Sequence, residues 1–226
     1  MRTLIFGTKW PIILSLFAAV AACGFAQPVS HEAATHPQSE TFDAIFEAAK
    51  RDLRELNDEP VDQAMETRIK YEQSLRRAMP QTDRNSTRDN WQKLEQIDAD
   101  NQRFLKRILP DEGWFRLSEH DSNFVGGAFL IVQHSGDLEL MENTIKAMEA
   151  LPDNEIAKPD YALLKDRILM QRGEKQIFGS QLTCVNGKFG FHPIVEPDGV
   201  DERRASVGLE PLNVYQQLFP NYGQSC

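Results

Sequence analysis

From Phe42 to Ile168 the apolar residues of this chain recur three and four apart and seldom alternate, which commits most of its length to helices. Phe42, Ile45, Phe46, Ala49 and Leu53 form one stripe, and after Glu59-Pro60 a second carries Val61, Met65, Ile69 and Leu75. Together they predict a helical hairpin over residues 40–80. A third helix is predicted from Asn85 to Leu109, with Trp91, Leu94, Ile97, Asn101, Leu105 and Ile108 on one face and Pro110 as its stop. Asn101 falls inside that stripe, which points to a buried polar role, and Asp98 is its neighbour three residues back. The run from Phe124 to Ser135 is so dense in apolar residues that periodicity cannot separate a buried helix from a strand, and we read it as helix. Leu138, Met141, Ile145 and Met148 continue the helical pattern, and Asp160 to Arg172 forms a further helix with Leu164 and Ile168 inward and Gly173 as its end.

Beyond Gly173 the period changes. Gln181–Val185 and Lys188–His192 flank Asn186-Gly187, the dipeptide preferred in a two-residue hairpin turn because both positions need positive φ. The expected fold class is therefore mainly α with a small C-terminal β-hairpin (α+β), a helical bundle packed against a two-stranded element. Residues 40–226 are of a length that suits one domain, and no internal repeat is visible.

The N-terminus reads differently. Arg2 and Lys9 make a short basic start, Ile12 to Ala22 is an almost unbroken apolar run, and Val20-Ala21-Ala22-Cys23 has the small-residue pattern that precedes a lipid-modified cysteine. A spanning helix needs about 20 apolar residues, and this run breaks into polar residues soon after Ala26. Residues 1–22 are accordingly read as a lipoprotein-type signal peptide with Cys23 as the lipidated residue. Cleavage after Ala26, giving a soluble exported product, is the competing reading. Residues 23–39, with Pro28, Ser30, Pro37 and Ser39, suit a flexible tether. His31 and His36 in this stretch lack a third ligand for a metal. The expected location is the cell envelope, anchored on the periplasmic side of a membrane, or the periplasm or medium if the chain is released.

The whole chain carries a formal charge of −9; removing residues 1–22 takes away two bases and no acid, leaving −11. That balance argues against nucleic acid as a partner, and against adhesion to anionic lipid by charge. The membrane would be held through the acyl chains. With Cys23 acylated, Cys184 and Cys226 remain as an even pair that permits one disulfide in an oxidising compartment. Nothing next to Cys184 lowers its pKa as a nucleophile would require.

Several ordered blocks add up to a resemblance. Gly113-Trp114, the run Ala128 to His134, Asp166-Arg167-Ile168, Gln176 with Phe178-Gly179-Ser180-Gln181, and Val200 to Arg204 followed by Gly208-Leu209 and Pro211-Leu212 resemble a bacterial domain family of unknown function. The signature of that family runs from Gly-Trp-Pro through Gln-His and Asp-Arg to Gln-x-Tyr-Gly-Thr-Gln and Asp-x-Arg-Arg. The similarity spans roughly Ile97 to Leu218, within a core of residues 85–220, and implies a shared fold and pocket but no reaction. This chain has Phe115, Phe178 and Ser180 where the pattern has proline, tyrosine and threonine, so chemistry that depended on that tyrosine hydroxyl would be lost here.

The family-like blocks are rich in groups that are costly to bury unpaired: Gln133, His134, Asp166, Arg167, Gln176, Gln181 and Arg204. They are the candidate catalytic or binding residues. In one reading they form a hydrogen-bonded network that locks the hairpin to the helices, and the chain is an interaction module for a protein or small-molecule partner. In the other His134 is a general base oriented by Asp166, with Arg204 or Gln181 holding a polar substrate of a hydrolase. Arg203-Arg204 could also form an anion clamp or a solvated surface doublet. There is no Gly-x-Ser-x-Gly elbow, no phosphate-cradling loop, no His-Glu-x-x-His and no paired-cysteine pattern. No cofactor or metal is assigned, although His120, His134 and His192 could meet distant carboxylates.

Overall fold

The computed structural model describes residues 41–56, 59–79 and 84–226; the expected signal peptide, Cys23, and the expected tether with His31 and His36 lie outside the described residues. Eight α-helices and one two-stranded antiparallel sheet are present among them, so the chain is mainly α with a small β-hairpin. No described helix is long and apolar enough to cross a membrane.

Helix α1 (Phe42–Glu55) starts where the Thr41 side chain accepts the Ala44 N–H, and it buries Phe42, Ile45, Phe46, Ala49 and Leu53. Helix α2 (Val61–Arg77) returns alongside it after Pro60. Helix α3 (Arg84–Ile108) completes a first apolar cluster, in which Leu75, Leu94 and Ile97 meet the α1 stripe. The inward line of α3 runs through Asn90, Leu94, Ile97, Asn101 and Phe104-Leu105. Trp91, expected on that face, is 44% exposed because it lies one residue, about 100°, round the helix from Asn90. Val61, expected inward on α2, is also exposed, standing at the first turn ahead of the packed stretch.

Helix α4 (Ser122–His134) is the centre of the molecule. Asp121 caps it by accepting the Asn123 and Phe124 N–H groups, and every residue from Gly127 to Gln133 is buried. It packs on α2, on α3, on α5 (Leu138–Ala150) and on α6 (Lys158–Gln171), which explains a sequence apolar on all sides. Gly127 lets α2 approach closely: a Cβ there would sit 3.0 Å from Met65 and 3.1 Å from Ile69. Trp114, Phe115, Phe124, Phe129, Met141, Met148 and Leu164 fill this second, larger cluster.

Strands β1 (Leu182–Val185) and β2 (Lys188–Phe191) pair with Leu182 opposite Phe191 and Val185 opposite Lys188. Asn186 and Gly187 turn between them with φ of 51° and 76°. Each strand ends one residue short of the expected span, and at Gln181 the backbone N–H is taken by the Gln176 side chain. Two short helices follow, α7 (Val200–Ser206) and α8 (Leu212–Gln216), and the tail then runs back beside β2. Gly223 donates to Phe189, Phe189 to Gln224 and Cys226 to Gly187, and a disulfide joins Cys226 to Cys184.

Candidate functional site

The candidate residues divide into two groups that do not touch the same chemistry. The first encloses the loop from Gln176 to Gln181. Asp166, fully buried on α6, accepts the N–H groups of Ile177 (2.7 Å) and Phe178 (3.0 Å) on one oxygen and of Ser180 (2.9 Å) on the other. Gln176 donates to the carbonyls of Gln181 (3.0 Å) and His192 (2.7 Å) and accepts the Gln181 N–H at 2.8 Å, copying a strand's pairing with a side chain. Gln181 donates to Ser180 Oγ at 3.0 Å. Arg204 donates to the carbonyls of Glu210 (2.6 Å) and Phe178 (2.7 Å), with its guanidinium 4.8 Å from the Tyr215 ring centre. Arg203 holds the carbonyls of Ile177 and Val195, so the arginine doublet clamps backbone and not an anion. Gly179, at φ 69°, is enclosed: a Cβ would lie 2.8 Å from Leu212 and 3.0 Å from Ile194.

The second group surrounds His134, the last residue of α4. Its orienting carboxylate is Glu72 on α2, not Asp166, whose oxygens are occupied by the loop amides. His134 Nδ1 lies 2.7 Å from Glu72 Oε1, and both side chains are at least nine-tenths buried. Glu72 is also bonded to Arg76 one turn on and accepts from Gln73. Arg76 reaches Asp98 on α3 at 2.8 Å and 3.0 Å. Beside this chain Arg68 donates to Asp100 (2.6 Å) and to the buried Asn101 (3.1 Å), which gives Asn101 the polar role its position implied.

The charges in this second group are strongly placed. Burial opposes ionisation of Glu72, yet the nearby His134 and the charge of Arg76 outweigh it and hold the carboxyl below its usual range. Burial pushes His134 down from the ordinary imidazole value despite Glu72. Nδ1 stands close to the Glu72 carboxylate without the alignment of a hydrogen bond, and neither ring nitrogen has a hydrogen-bond partner. Asp98 is pushed up to about 6 by burial, with Glu72 adding to the rise. Arg167, on the α6 face turned from Asp166, is weakened as a cation by burial and by Arg76.

Sequence reasoning missed Glu72 and Arg76. Their signal was present: Arg68 and Glu72 interrupt the apolar stripe of α2 between Met65 and Leu75 as Asn101 interrupts that of α3, and Glu72–Arg76 is an i,i+4 pair. The three histidines weighed as metal ligands are separately engaged. His120 stacks on Phe124, His192 bonds the Glu174 carbonyl, and His134 holds Glu72. No cluster of three or more metal-ligating side chains occurs among the described residues.

No curated protein and no solved structure shows significant similarity to the chain. One family does, over residues 60–225, a span that takes in both groups and every helix but α1. The chain therefore belongs to the family of unknown function DUF6624.

Proposed function

We propose that this protein is an exported, lipid-anchored envelope protein whose helical body is a binding module, with the His134 group as its binding site. The observation that carries the module reading is the sorting of the polar residues. Asp166, Gln176, Gln181 and Arg204 spend their hydrogen bonds on the protein's own loop, which makes them fold-holding groups, while the His134 group keeps unpaired polar atoms. Export is supported by the order of basic start, apolar run, small-residue box and cysteine, and the Cys184–Cys226 bond suits an oxidising compartment. The test is metabolic labelling of the full chain with an alkyne fatty acid in a bacterial host. Label on the parent, its absence from Cys23→Ser, and a shift of that variant from the membrane to the soluble fraction are expected; an unlabelled parent overturns the anchor.

A second reading, a hydrolase, rests on one observation: a buried carboxylate, Glu72, stands against His134 Nδ1 while Nε2 is without a partner, the arrangement a general base would use. Glu72 takes the orienting role, and Arg167 would steady developing negative charge. Turnover of ester, amide or phosphoester substrates that disappears in His134→Gln would favour it over the module.

A further inference from the structure

The two-stranded sheet has two outer edges, and the chain treats them differently. Phe189 gives its outward N–H to Gln224 and its C=O to Gly223 of the C-terminal strap, so the β2 edge is covered. β1 is the other edge, with no strand beyond it. Gln181 accepts from His192, and Asn186-Gly187 turn the chain between Val185 and its partner Lys188. The backbone groups of Gln181, Thr183 and Val185 therefore point to β2, and by the alternation of an antiparallel ladder those of Leu182 and Cys184 point away from it. Outside the hairpin itself, no described residue bonds the backbone of Leu182 or Cys184. The edge is also accessible: Cys184 is exposed, Leu182 and Thr183 are half-buried, and among the elements β2 is the one that packs closely on β1.

Open sheet edges are commonly protected by a lysine, a proline or a bulge. β1 reads Leu182-Thr183-Cys184-Val185, uncharged, without proline and in unbroken register with β2. The free stretch is bounded on both sides. Ser180, the next outward residue back, has its N–H on Asp166 and its C=O on Tyr215, and Asn186 is already in the turn. Two N–H and two C=O groups are left on Leu182 and Cys184, and an identical strand complements all four in one register. A two-fold axis at Thr183 sets Leu182 of one copy opposite Cys184 of the other and satisfies every outward group on both. An axis at Leu182 or at Cys184 would instead leave one residue facing Ser180 or Asn186. The axis at Thr183 also sets that threonine opposite its own counterpart, a favourable cross-strand pair.

We propose that β1 is a self-association edge, at which two copies of the chain pair antiparallel through Leu182–Cys184 about an axis at Thr183 and join their sheets into one. The occupant is a second copy because the edge is complementary to itself in hydrogen bonds and carries no charge that would repel its own likeness. The bonds are few, so the pairing belongs to the weak, concentration-dependent class. It uses no residue of the His134 group and goes beyond the binding site proposed there.

The test is sedimentation equilibrium of the full chain in density-matched detergent, on the parent, Thr183→Lys, Thr183→Glu, an equal mixture of those two variants, and Leu182→Pro. The parent should show a monomer–dimer equilibrium. Each charged variant alone sets like charges opposite one another across the axis and should weaken self-association by about fivefold or more. Mixed, they set opposite charges there and should recover at least the parent's affinity. Leu182→Pro removes an outward donor while leaving the hairpin's own bonds, and should abolish dimers at an unchanged melting temperature. If that variant fails to fold, the lysine and glutamate mixture decides. A parent that stays monomeric up to about 1 mM, dimers indifferent to either charge, or a mixture that does not recover pairing overturns the proposal; the first of these would leave the edge for the strand of another protein.

Discussion

At the scale of single residues, Asp166 and His134 illustrate how one chemical vocabulary serves two ends. Asp166 spends its charge on three backbone N–H groups of the Gln176–Gln181 loop. Asp166→Asn replaces one acceptor oxygen by a donor facing those amides, and a loss of about 2–3 kcal/mol is expected, read as a lower denaturation midpoint at unchanged slope. His134 is positioned by a carboxylate 62 positions back along the sequence, Glu72, and has a ring nitrogen left over. The candidate residues were visible in sequence because polar side chains stood in apolar surroundings; their pairing was not, because adjacent residues on a helix point to different sides and partners come from other helices. Gly179→Ala should cost about 1–3 kcal/mol, as its positive φ and the nearness of Leu212 and Ile194 leave no room for a methyl group; thermal melting checks this.

Among the elements, the helices were legible wherever burial is one-sided, and α4 yielded to length and context although its periodicity is blurred by neighbours on several sides. The hairpin was legible from Asn186-Gly187 alone. The short helices α7 and α8 were not, because they are too brief for a period to show and are held by contacts from afar, such as Asp201 accepting the Leu212 N–H and Tyr215 donating to the Ser180 carbonyl. The strap from Gly223 to Cys226 beside β2 was missed for the same reason: its hydrogen bonds are to backbone and any sequence could make them, with only the cysteines to mark its end. Cys226→Ser should release that strap. Faster amide exchange at Phe189 and Gly223 is expected, with little change in the exchange of α4, and a loss of at most about 4 kcal/mol in global stability.

For the whole molecule, the buried charges predict a pH dependence. Asp98 titrates at about 6 in the fold against an ordinary 3.8, so its neutral form is the better tolerated one. The stability it contributes is present below about pH 4 and is lost as pH rises through 6. Asp98→Asn, which keeps an acceptor for Arg76, should therefore gain on the parent as pH rises from 4 to 7, by up to about 2 kcal/mol; melting curves across that range check the sign. Glu72 works the other way, its lowered pKa adding stability above the usual carboxylate range that disappears in acid.

The apolar interior is divided, with α2 running from the larger cluster at Met65 to the smaller at Leu75, and α1 belongs only to the smaller. That division has a mechanical consequence. A pull applied at Phe42 first loads the contacts of α1 with Leu75, Leu94 and Ile97. Under such tension α1 would peel away before α4 or the Gln176–Gln181 loop felt the force, acting as a sacrificial fuse for the rest of the body.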